Sequence, residues 1–179
     1  MISYAISDPS ILHFDRLQED LQRICKRADY ILYRDKDNDD YADFAVTFIR
    51  EASRYDFSKI LLHGDWELAS ALGADGVHLK STQIENVRDA KERELFTIVS
   101  THSLSEMLRA QKLGADMLTL SPLFASPGKG EALGPKRFTE LVSQIEIPVI
   151  ALGGIVSDSR IEEALSTPAA GFASIRYFA

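Results

Sequence analysis

Eight short apolar segments alternate along the chain with amphipathic stretches, a pattern that predicts strands and helices in strict succession. The segment from Pro148 to Ile155 is apolar without alternation, which is typical of a parallel strand covered on both faces. The predicted strands are Ile2–Ser7, Tyr30–Arg34, Lys59–His63, Gly76–Leu79, Phe96–Ser100, Met117–Ser121, Val149–Leu152 and Gly171–Arg176.

The stretches between these strands carry apolar residues at helical spacing. The clearest of them, Tyr41–Ala52, has apolar side chains at positions i, i+3, i+4 and i+7. Helix starts are indicated by Ser103, which opens a capping box, by Pro135 and by Ser157. Residues 71–79 and 112–120 share a Leu-Gly-Ala-Asp sequence that ends a helix and leads into the next strand.

Eight strands in alternation with helices favour a single domain over residues 1–179, a (β/α)₈ TIM barrel, rather than an open doubly wound sheet. The chain is compact for that fold, which usually takes about 250 residues. It also ends three residues after the eighth predicted strand, so the barrel is expected to lack its final C-terminal helix. A missing helix would leave apolar flanks exposed, and we therefore predict a homodimer that covers them.

The composition narrows the class of protein and of partner. The 179 residues are 45% hydrophobic, enough for a sizeable core, and the net charge of -7 argues against a nucleic-acid surface. The single cysteine, Cys25, excludes an internal disulfide and fits a reducing compartment. The sequence shows neither an apolar run of membrane-spanning length nor the basic start of a signal peptide, so we expect a cytoplasmic protein without a membrane partner.

Candidate binding residues follow from the fold, because the working face of such a barrel lies at the carboxyl ends of its strands. Cations in an acidic protein stand out there, and as a set they indicate an anion site: Arg34, Lys36, Lys129 and Arg176. Gly153-Gly154, after strand seven, lets a bound group approach the backbone amides or simply makes a tight turn. Ser100 and Ser174 lie at the ends of strands five and eight.

The histidines offer proton transfer, though each has a structural alternative. His63 stands at a strand end beside Asp65 and is the preferred candidate. His102 precedes the capping serine and either orients that turn or transfers a proton, while His78 is equally compatible with a core position and with catalysis. No pair of histidines has metal-ligand spacing, so no protein-bound metal site is predicted.

Several motifs in order make the chain resemble the thiamine phosphate synthase family and its TenI-like relatives. They are Tyr33-Arg-Asp-Lys36, residues 68–79, Val99-Ser-Thr-His102, Gly114-Ala-Asp116, Ser121-Pro-Leu-Phe124 with Lys129, and residues 147–155. The resemblance implies a TIM barrel that joins a pyrimidine pyrophosphate to a thiazole phosphate and releases pyrophosphate. It further implies that Arg34 and Lys36 bind pyrophosphate, that Ser100 and Lys129 assist, and that Gly153 and Gly154 hold the thiazole phosphate.

The chain departs from the family pattern where magnesium would bind. The family has an Asn-Asp pair after strand three, where this chain has His63-Gly64. The family also has an aspartate after strand four, which aligns near Lys80-Ser-Thr82 and is absent from this chain. Magnesium is therefore expected only if the chain works as a synthase. Leu32 and Arg176 replace a glutamine and a serine of the family, and Pro122 stands where tautomerases of the TenI-like group have a histidine.

Three hypotheses remain open, in this order. The first is a TenI-like protein of thiamine biosynthesis that binds a thiazole phosphate, with or without tautomerase chemistry at His63, His102 or Lys129. The second is a functional thiamine phosphate synthase with an altered metal site. The third is a non-catalytic regulatory or ligand-binding barrel.

Overall fold

A computed structural model that describes residues 1–179 shows a closed barrel of eight parallel strands, in which each strand pairs with its neighbours in sequence and the last pairs with the first. The strands are β1 (Ile2–Ile6), β2 (Tyr30–Tyr33), β3 (Lys59–His63), β4 (Gly76–Leu79), β5 (Phe96–Thr101), β6 (Met117–Leu120), β7 (Val149–Leu152) and β8 (Gly171–Ser174). The predicted TIM barrel is thus confirmed.

Seven α-helices lie between successive strands. They are α1 (Leu17–Cys25), α2 (Tyr41–Ala52), α3 (Trp66–Ala71), α4 (Val87–Glu92), α5 (Leu104–Leu113), α6 (Gly134–Val142) and α7 (Asp158–Leu165). The side chains of Ser103 and Ser157 cap α5 and α7 as the sequence indicates, and Pro135 lies in the first turn of α6. None of these helices has the length and apolar character needed to cross a membrane.

Consecutive residues of one strand pack into different layers of the core. In β3, Leu61 lies in the barrel interior with Tyr4 and Ile98, whereas Ile60 and Leu62 pack outward under the helices. This explains why the strands are continuously apolar in sequence, since both of their faces are buried. The interior layer fills the barrel and leaves only the carboxyl ends of the strands to form a cavity.

At the amino ends of the strands, three aspartates in equivalent positions join neighbouring strands by hydrogen bonds. Asp29, Asp75 and Asp116 each precede an even-numbered strand, and each accepts a hydrogen bond from a backbone N–H in the preceding odd-numbered strand, at 2.7–2.8 Å. Two of them are the aspartates of the Leu-Gly-Ala-Asp repeat. Because these bonds join strands at their amino ends, they belong to the stability of the fold rather than to the candidate site.

Strand β8 ends at Ser174, two residues earlier than the sequence pattern predicts, because the chain turns there into a 3₁₀ helix, Arg176–Phe178. Phe178 is buried and stacks on Phe172 of β8, with ring centroids 5.9 Å apart. No α-helix follows β8, yet this 3₁₀ turn covers the flank of the strand. The homodimer stays a prediction, but the exposed apolar flank on which it was based is absent from the structure.

Candidate functional site

A cavity of about 1260 Å³ opens at the carboxyl ends of the strands and brings every predicted site residue into one lining. Those residues are Arg34, Lys36, His63, Ser100, His102, Lys129, Gly153, Gly154, Ser174 and Arg176. Among the other residues that line the same cavity are Lys80 and His78, which were not among the predicted site residues. Because all of them meet at one mouth, the question becomes which of their polar atoms are free to bind a ligand.

Cations gather on one side of the mouth. The pKa of Lys36 is lowered first by Arg34, then by burial, and then by Lys129 and Lys80, which places all four residues within one electrostatic field. Burial lowers the pKa of Arg34, although nearby aspartates oppose the shift, and its guanidinium stays charged. None of the four cations forms a salt bridge within the chain. Mutual repulsion of this kind is relieved by a multiply charged anion.

Lys80 directly follows β4, near the position at which the family resemblance leads us to expect a carboxylate. Its side chain lies over Gly64, where an added Cβ would meet Lys80 Cε at 3.4 Å. Gln83 holds this arrangement, because its Nε2 donates to the Gly64 carbonyl at 2.8 Å and its Oε1 accepts from the Lys80 N–H at 3.2 Å. The loops after β3 and β4 are thereby tied together, with an ammonium group above them. The position of Lys80 directly after β4 was the signal in the sequence.

His63 lies half-buried beside these cations. Its backbone N–H donates to the Tyr41 hydroxyl at 3.1 Å, which in turn donates to the Tyr33 carbonyl. Burial, followed by the charges of Arg34, Lys80 and Lys36, lowers the pKa of the imidazole to about 3. His63 is therefore neutral at physiological pH and can exchange hydrogen bonds with a ligand, whereas an imidazolium is disfavoured until an anion neutralises its neighbours.

His102 is an exposed residue whose polar atoms serve the loop. Its Nδ1 lies 3.0 Å from the Ser121 carbonyl, to which it donates, and its backbone N–H donates to Glu106 Oε2 at 2.6 Å. These bonds match the structural interpretation, in which His102 orients the turn that opens α5. Only its Nε2 remains available toward the cavity.

His78 is buried in the barrel interior, between a hydroxyl below it and a hydroxyl above it. Its Nδ1 lies 2.9 Å from the Tyr4 hydroxyl, and its Nε2 lies 2.9 Å from Ser100 Oγ. Burial, with smaller contributions from His63 and Arg34, lowers the pKa of His78 to about 3. His78 is thus a core histidine with both ring nitrogens satisfied, and a catalytic role for it stays a hypothesis.

The part of the mouth after β7 and β8 is built from main chain. The N–H groups of Gly153 and Gly154, after β7, and of Ile175, after β8, donate no hydrogen bond within the chain, and all three residues line the cavity. Gly153 has φ +104°, and a Cβ there would meet Pro122 Cα at 2.8 Å, so the loop requires glycine. Unpaired N–H groups in neighbouring loops after strands seven and eight of such a barrel are suited to phosphate, and we call this part of the mouth the main-chain concavity.

Ser174 supports this concavity rather than offering a donor to it. Its hydroxyl donates to the Ile155 carbonyl at 2.6 Å and accepts from the Tyr177 N–H at 3.2 Å. The prediction that Ser174 binds substrate is therefore revised: its proton is used to join the loops after β7 and β8. Arg176 is exposed and remains a cation at the rim.

Lys129 belongs to an exposed loop between β6 and α6. Its backbone N–H donates to the Ser126 carbonyl at 3.2 Å, and its side chain faces the cavity without an ion-pair partner. The flanking residues Gly128 and Gly130 have no heavy atom within 4 Å of a notional Cβ, so the tip of the loop is open to solvent.

Comparison with known proteins agrees with this geometry. The sequence profile described as thiamine monophosphate synthase matches residues 3–178. The chain belongs to that family. An Aquifex aeolicus (strain VF5) protein with the provisional name thiamine-phosphate synthase 2 is 31% identical over 180 aligned residues, covering 98% of this chain and 96% of that protein. The thiamine-phosphate synthase of Lactococcus lactis subsp. cremoris (strain MG1363) is 31% identical over 107 residues, which are 57% of this chain and about half, 49%, of that protein.

Solved structures extend the similarity to the fold. A thiamine phosphate pyrophosphorylase from Pyrococcus furiosus superposes with a TM-score of 0.83 at 27% identity, covering 97% of this chain and 85% of that one. The N-acetylmannosamine-6-phosphate 2-epimerase from Clostridium perfringens gives a TM-score of 0.69 at 16% identity, covering 99% and 87% of the two chains. The second likeness is one of fold alone.

The side chains of this family member do not fit the magnesium that a synthase would use. His63, Gly64 and Lys80 occupy the ends of β3 and β4, and no group of three His, Cys, Asp or Glu side chains is placed to hold a metal ion. The carboxylates of Asp8, Asp35, Asp65 and Glu67 line the mouth, but the first three accept hydrogen bonds from the Ser10 N–H, Asn38 Nδ2 and the Leu68 N–H. The side chain of Lys80 lies over Gly64, after β3, and its ammonium disfavours a divalent cation beside it.

Proposed function

We propose that this member of the family serves thiamine biosynthesis by binding a thiazole phosphate at the main-chain concavity after β7 and β8, as TenI-like relatives do. The observation that carries the proposal is the set of free N–H groups in those loops, which face the same cavity as the unpaired cations. Backbone N–H groups bind a phosphate only where its oxygens fit between them, whereas the cations attract its remaining negative charge from a greater distance.

The chemistry available to such a ligand is proton transfer. A phosphate fixed at Gly153 and Gly154 would leave the thiazole ring in the body of the cavity, which His63 also lines. His63 is neutral, with a pKa of about 3 when no anion is present, and an incoming phosphate raises its proton affinity. Its imidazole is the candidate that would accept a proton from the ring and return it to another atom of the ring, with Lys129 as a further cation at the rim.

The test is binding and turnover measured on the same protein. Titration calorimetry with thiazole phosphate in the presence of EDTA is expected to show one site per chain, weakened by Gly154→Ala and unchanged by Gly73→Ala. Conversion of a thiazole phosphate tautomer, followed by chromatography, is expected to be lost in His63→Gln. A wild-type protein that fails to bind thiazole phosphate at millimolar concentration would overturn the proposal.

A functional synthase is the second candidate, and one observation favours it: Arg34, Lys36, Ser100 and Lys129, which the family uses around pyrophosphate, are all present at the mouth. That candidate predicts thiamine phosphate from hydroxymethylpyrimidine pyrophosphate and thiazole phosphate when magnesium is added. We expect no product with magnesium or with chelator, because His63, Gly64 and Lys80 stand at the ends of β3 and β4 in place of the carboxylates of the family pattern. Magnesium-dependent product would make the synthase the correct assignment.

A further inference from the structure

A chain of three hydrogen-bonding groups runs from the sealed interior of the barrel to its mouth. Tyr4, on β1, is fully buried, and its hydroxyl lies 2.9 Å from His78 Nδ1 on β4. The other ring nitrogen, Nε2, lies 2.9 Å from the hydroxyl of Ser100 on β5. Tyr4 and His78 also stack, with ring centroids 5.7 Å apart, so the geometry of the pair is fixed by packing as well as by the hydrogen bond.

The direction of the hydrogen bonds follows from the lower end of this chain. Burial keeps the Tyr4 hydroxyl protonated, since its pKa is raised well above the ordinary value, and His78 Nδ1 is its one polar neighbour within hydrogen-bond distance. A buried donor left without an acceptor is costly, so Tyr4 donates and Nδ1 accepts. A neutral imidazole carries a single N–H, which is therefore on Nε2.

The consequence reaches the cavity at Ser100. Because Nε2–H donates to Ser100 Oγ, the serine oxygen acts as an acceptor toward His78, and its own proton has no partner within the chain. Ser100 is half-buried and lines the cavity. Its hydroxyl proton is therefore available to an acceptor on a ligand bound in the cavity. With the opposite tautomer, the Ser100 proton would be donated to Nε2, and the serine would offer only lone pairs to a ligand.

We infer that Tyr4 and His78 are positioning residues that lock Ser100 as a hydrogen-bond donor, and so make this part of the mouth selective for an anionic oxygen. The ligand of this inference is a phosphate or diphosphate group between Ser100 and the cations, a position other than the main-chain concavity that the proposed function uses. Tyr4 touches no ligand in this arrangement and acts through the tautomer of His78 alone.

The tautomer is measured first, without any ligand. Long-range proton–nitrogen correlation spectra of the ¹⁵N-labelled wild type at pH 7, with the His78 signals assigned through His78→Gln, are expected to show a protonated Nε2 and an unprotonated Nδ1. A protonated Nδ1 would overturn the inference while leaving the proposed function intact. This measurement needs no substitution of Tyr4, so its result does not depend on whether Tyr4→Phe folds.

Variants then connect the tautomer to the ligand, with inorganic pyrophosphate in EDTA as the probe. Ser100→Ala is expected to weaken binding on the order of 10- to 100-fold, the loss typical of a hydrogen bond to a charged group. Tyr4→Phe removes the bias and is expected to give a mixture of His78 tautomers with binding about 3- to 10-fold weaker. Tyr30→Phe is the matched control, because the ring of Tyr30 packs against that of Tyr4. It is expected to change neither the His78 tautomer nor the affinity for pyrophosphate.

The outcomes separate the inference from the proposed function. Full pyrophosphate affinity in Tyr4→Phe, together with weakened affinity in Ser100→Ala, would show that Ser100 binds the anion but that Tyr4 does not direct it. An absence of pyrophosphate binding by the wild type would overturn the role of Ser100 toward an anion, whichever tautomer the spectra show.

Discussion

The two sides of the barrel mouth are suited to anions by different means. After β2, β4 and β6, the side chains of Arg34, Lys36, Lys80 and Lys129 supply charge. After β7 and β8, the main chain supplies N–H groups, and glycine is required by the close approach of Pro122 to Gly153. Charge acts over the whole cavity and is weakened by salt, whereas N–H groups act only where an oxygen fits between them.

This difference assigns each side a task. The cation side attracts any multiply charged anion and discriminates weakly among them, because lysine ammonium groups are flexible point charges. The main-chain side fixes one phosphate in one position, because the loops that carry its N–H groups are packed against Pro122 and Phe124 and joined by Ser174. Substitutions on the two sides should therefore fail in different ways.

The largest effect is expected from Gly154→Ala, on the main-chain side. Gly154 has φ +70°, and a Cβ would meet the Ala125 carbonyl oxygen at 2.7 Å, so the loop must move and its N–H groups diverge. Thiazole phosphate affinity, measured by calorimetry, is expected to fall on the order of 100-fold, the loss of one or two charged hydrogen bonds.

Gly73→Ala is the matched control for that variant. Its φ of +69° carries the same backbone strain, but no atom lies within 4 Å of the new Cβ. We expect it to destabilise the fold by roughly 1–2 kcal/mol without changing ligand affinity. Equal affinities in the two variants would show that the concavity after β7 does not hold the phosphate.

A smaller effect is expected from Lys36→Met, on the cation side. Pyrophosphate affinity in EDTA is expected to fall about 10-fold, and its dependence on ionic strength should become less steep, because one charge of the cluster is removed. Lys112→Met, in the last turn of α5, is the control for removal of an exposed charge at the far face. Thiazole phosphate affinity should change less than pyrophosphate affinity, and the reverse order would contradict the division of tasks.

The titration of the buried histidines sharpens the comparison, since both face the cation side. The folded pKa values of His63 and His78 are about 3, below the ordinary value near 6.5, mainly because both imidazoles are buried. The charges of Arg34, Lys80 and Lys36 lower the pKa of His63 further, and His63 and Arg34 lower that of His78. Stability is therefore highest above about pH 6.5 and is lost as the pH falls toward 3, because the unfolded chain takes up protons that the folded chain does not.

Each such histidine raises the unfolding constant about tenfold per pH unit within that window. Urea denaturation between pH 7 and pH 4.5 is expected to show a shallower loss of stability in His63→Gln than in the wild type. The carboxylates are common to both proteins, so the difference between the two profiles isolates the histidine. Parallel profiles would mean that His63 is protonated normally in the folded state.

The smallest effect is expected from Lys129→Ala. Its side chain lies in an exposed loop whose tip is open to solvent, so water and salt screen its charge. Pyrophosphate affinity is expected to fall by about threefold or less, as for other exposed charges. A loss as large as that of Lys36→Met would show that this loop closes over the anion.

The cationic side chains of the mouth could be predicted from the sequence. For the main-chain part, the sequence indicated only that Gly153 and Gly154 lie there, and not which N–H groups are free. Barrel topology converts position in sequence into position in space, since every residue just after a strand lies at one face. Arg34, Lys36 and Lys129 are therefore placed correctly by counting strands. Free N–H groups leave no mark in a sequence, because they depend on which hydrogen bonds the loops fail to make.

Ser174 and His78 show the same limit from the other direction. A serine at a strand end suggests a ligand, but the Ser174 proton is given to Ile155, a bond across 19 residues that no local pattern reveals. His78 alternates with apolar neighbours and is consistent with a core position, but its role depends on Tyr4, 74 residues earlier. Contacts distant in sequence decide which polar atoms remain free for chemistry.

The central claim is that one mouth holds two anion subsites of different construction. Its most direct test is titration of inorganic pyrophosphate into protein already saturated with thiazole phosphate, in EDTA, followed by calorimetry. We predict one equivalent of pyrophosphate with nearly unchanged affinity, because the cations and the main-chain N–H groups are separate sets of groups in the lining of the cavity. Competition, in which thiazole phosphate abolishes pyrophosphate binding, would contradict the claim and reduce the mouth to a single anion site.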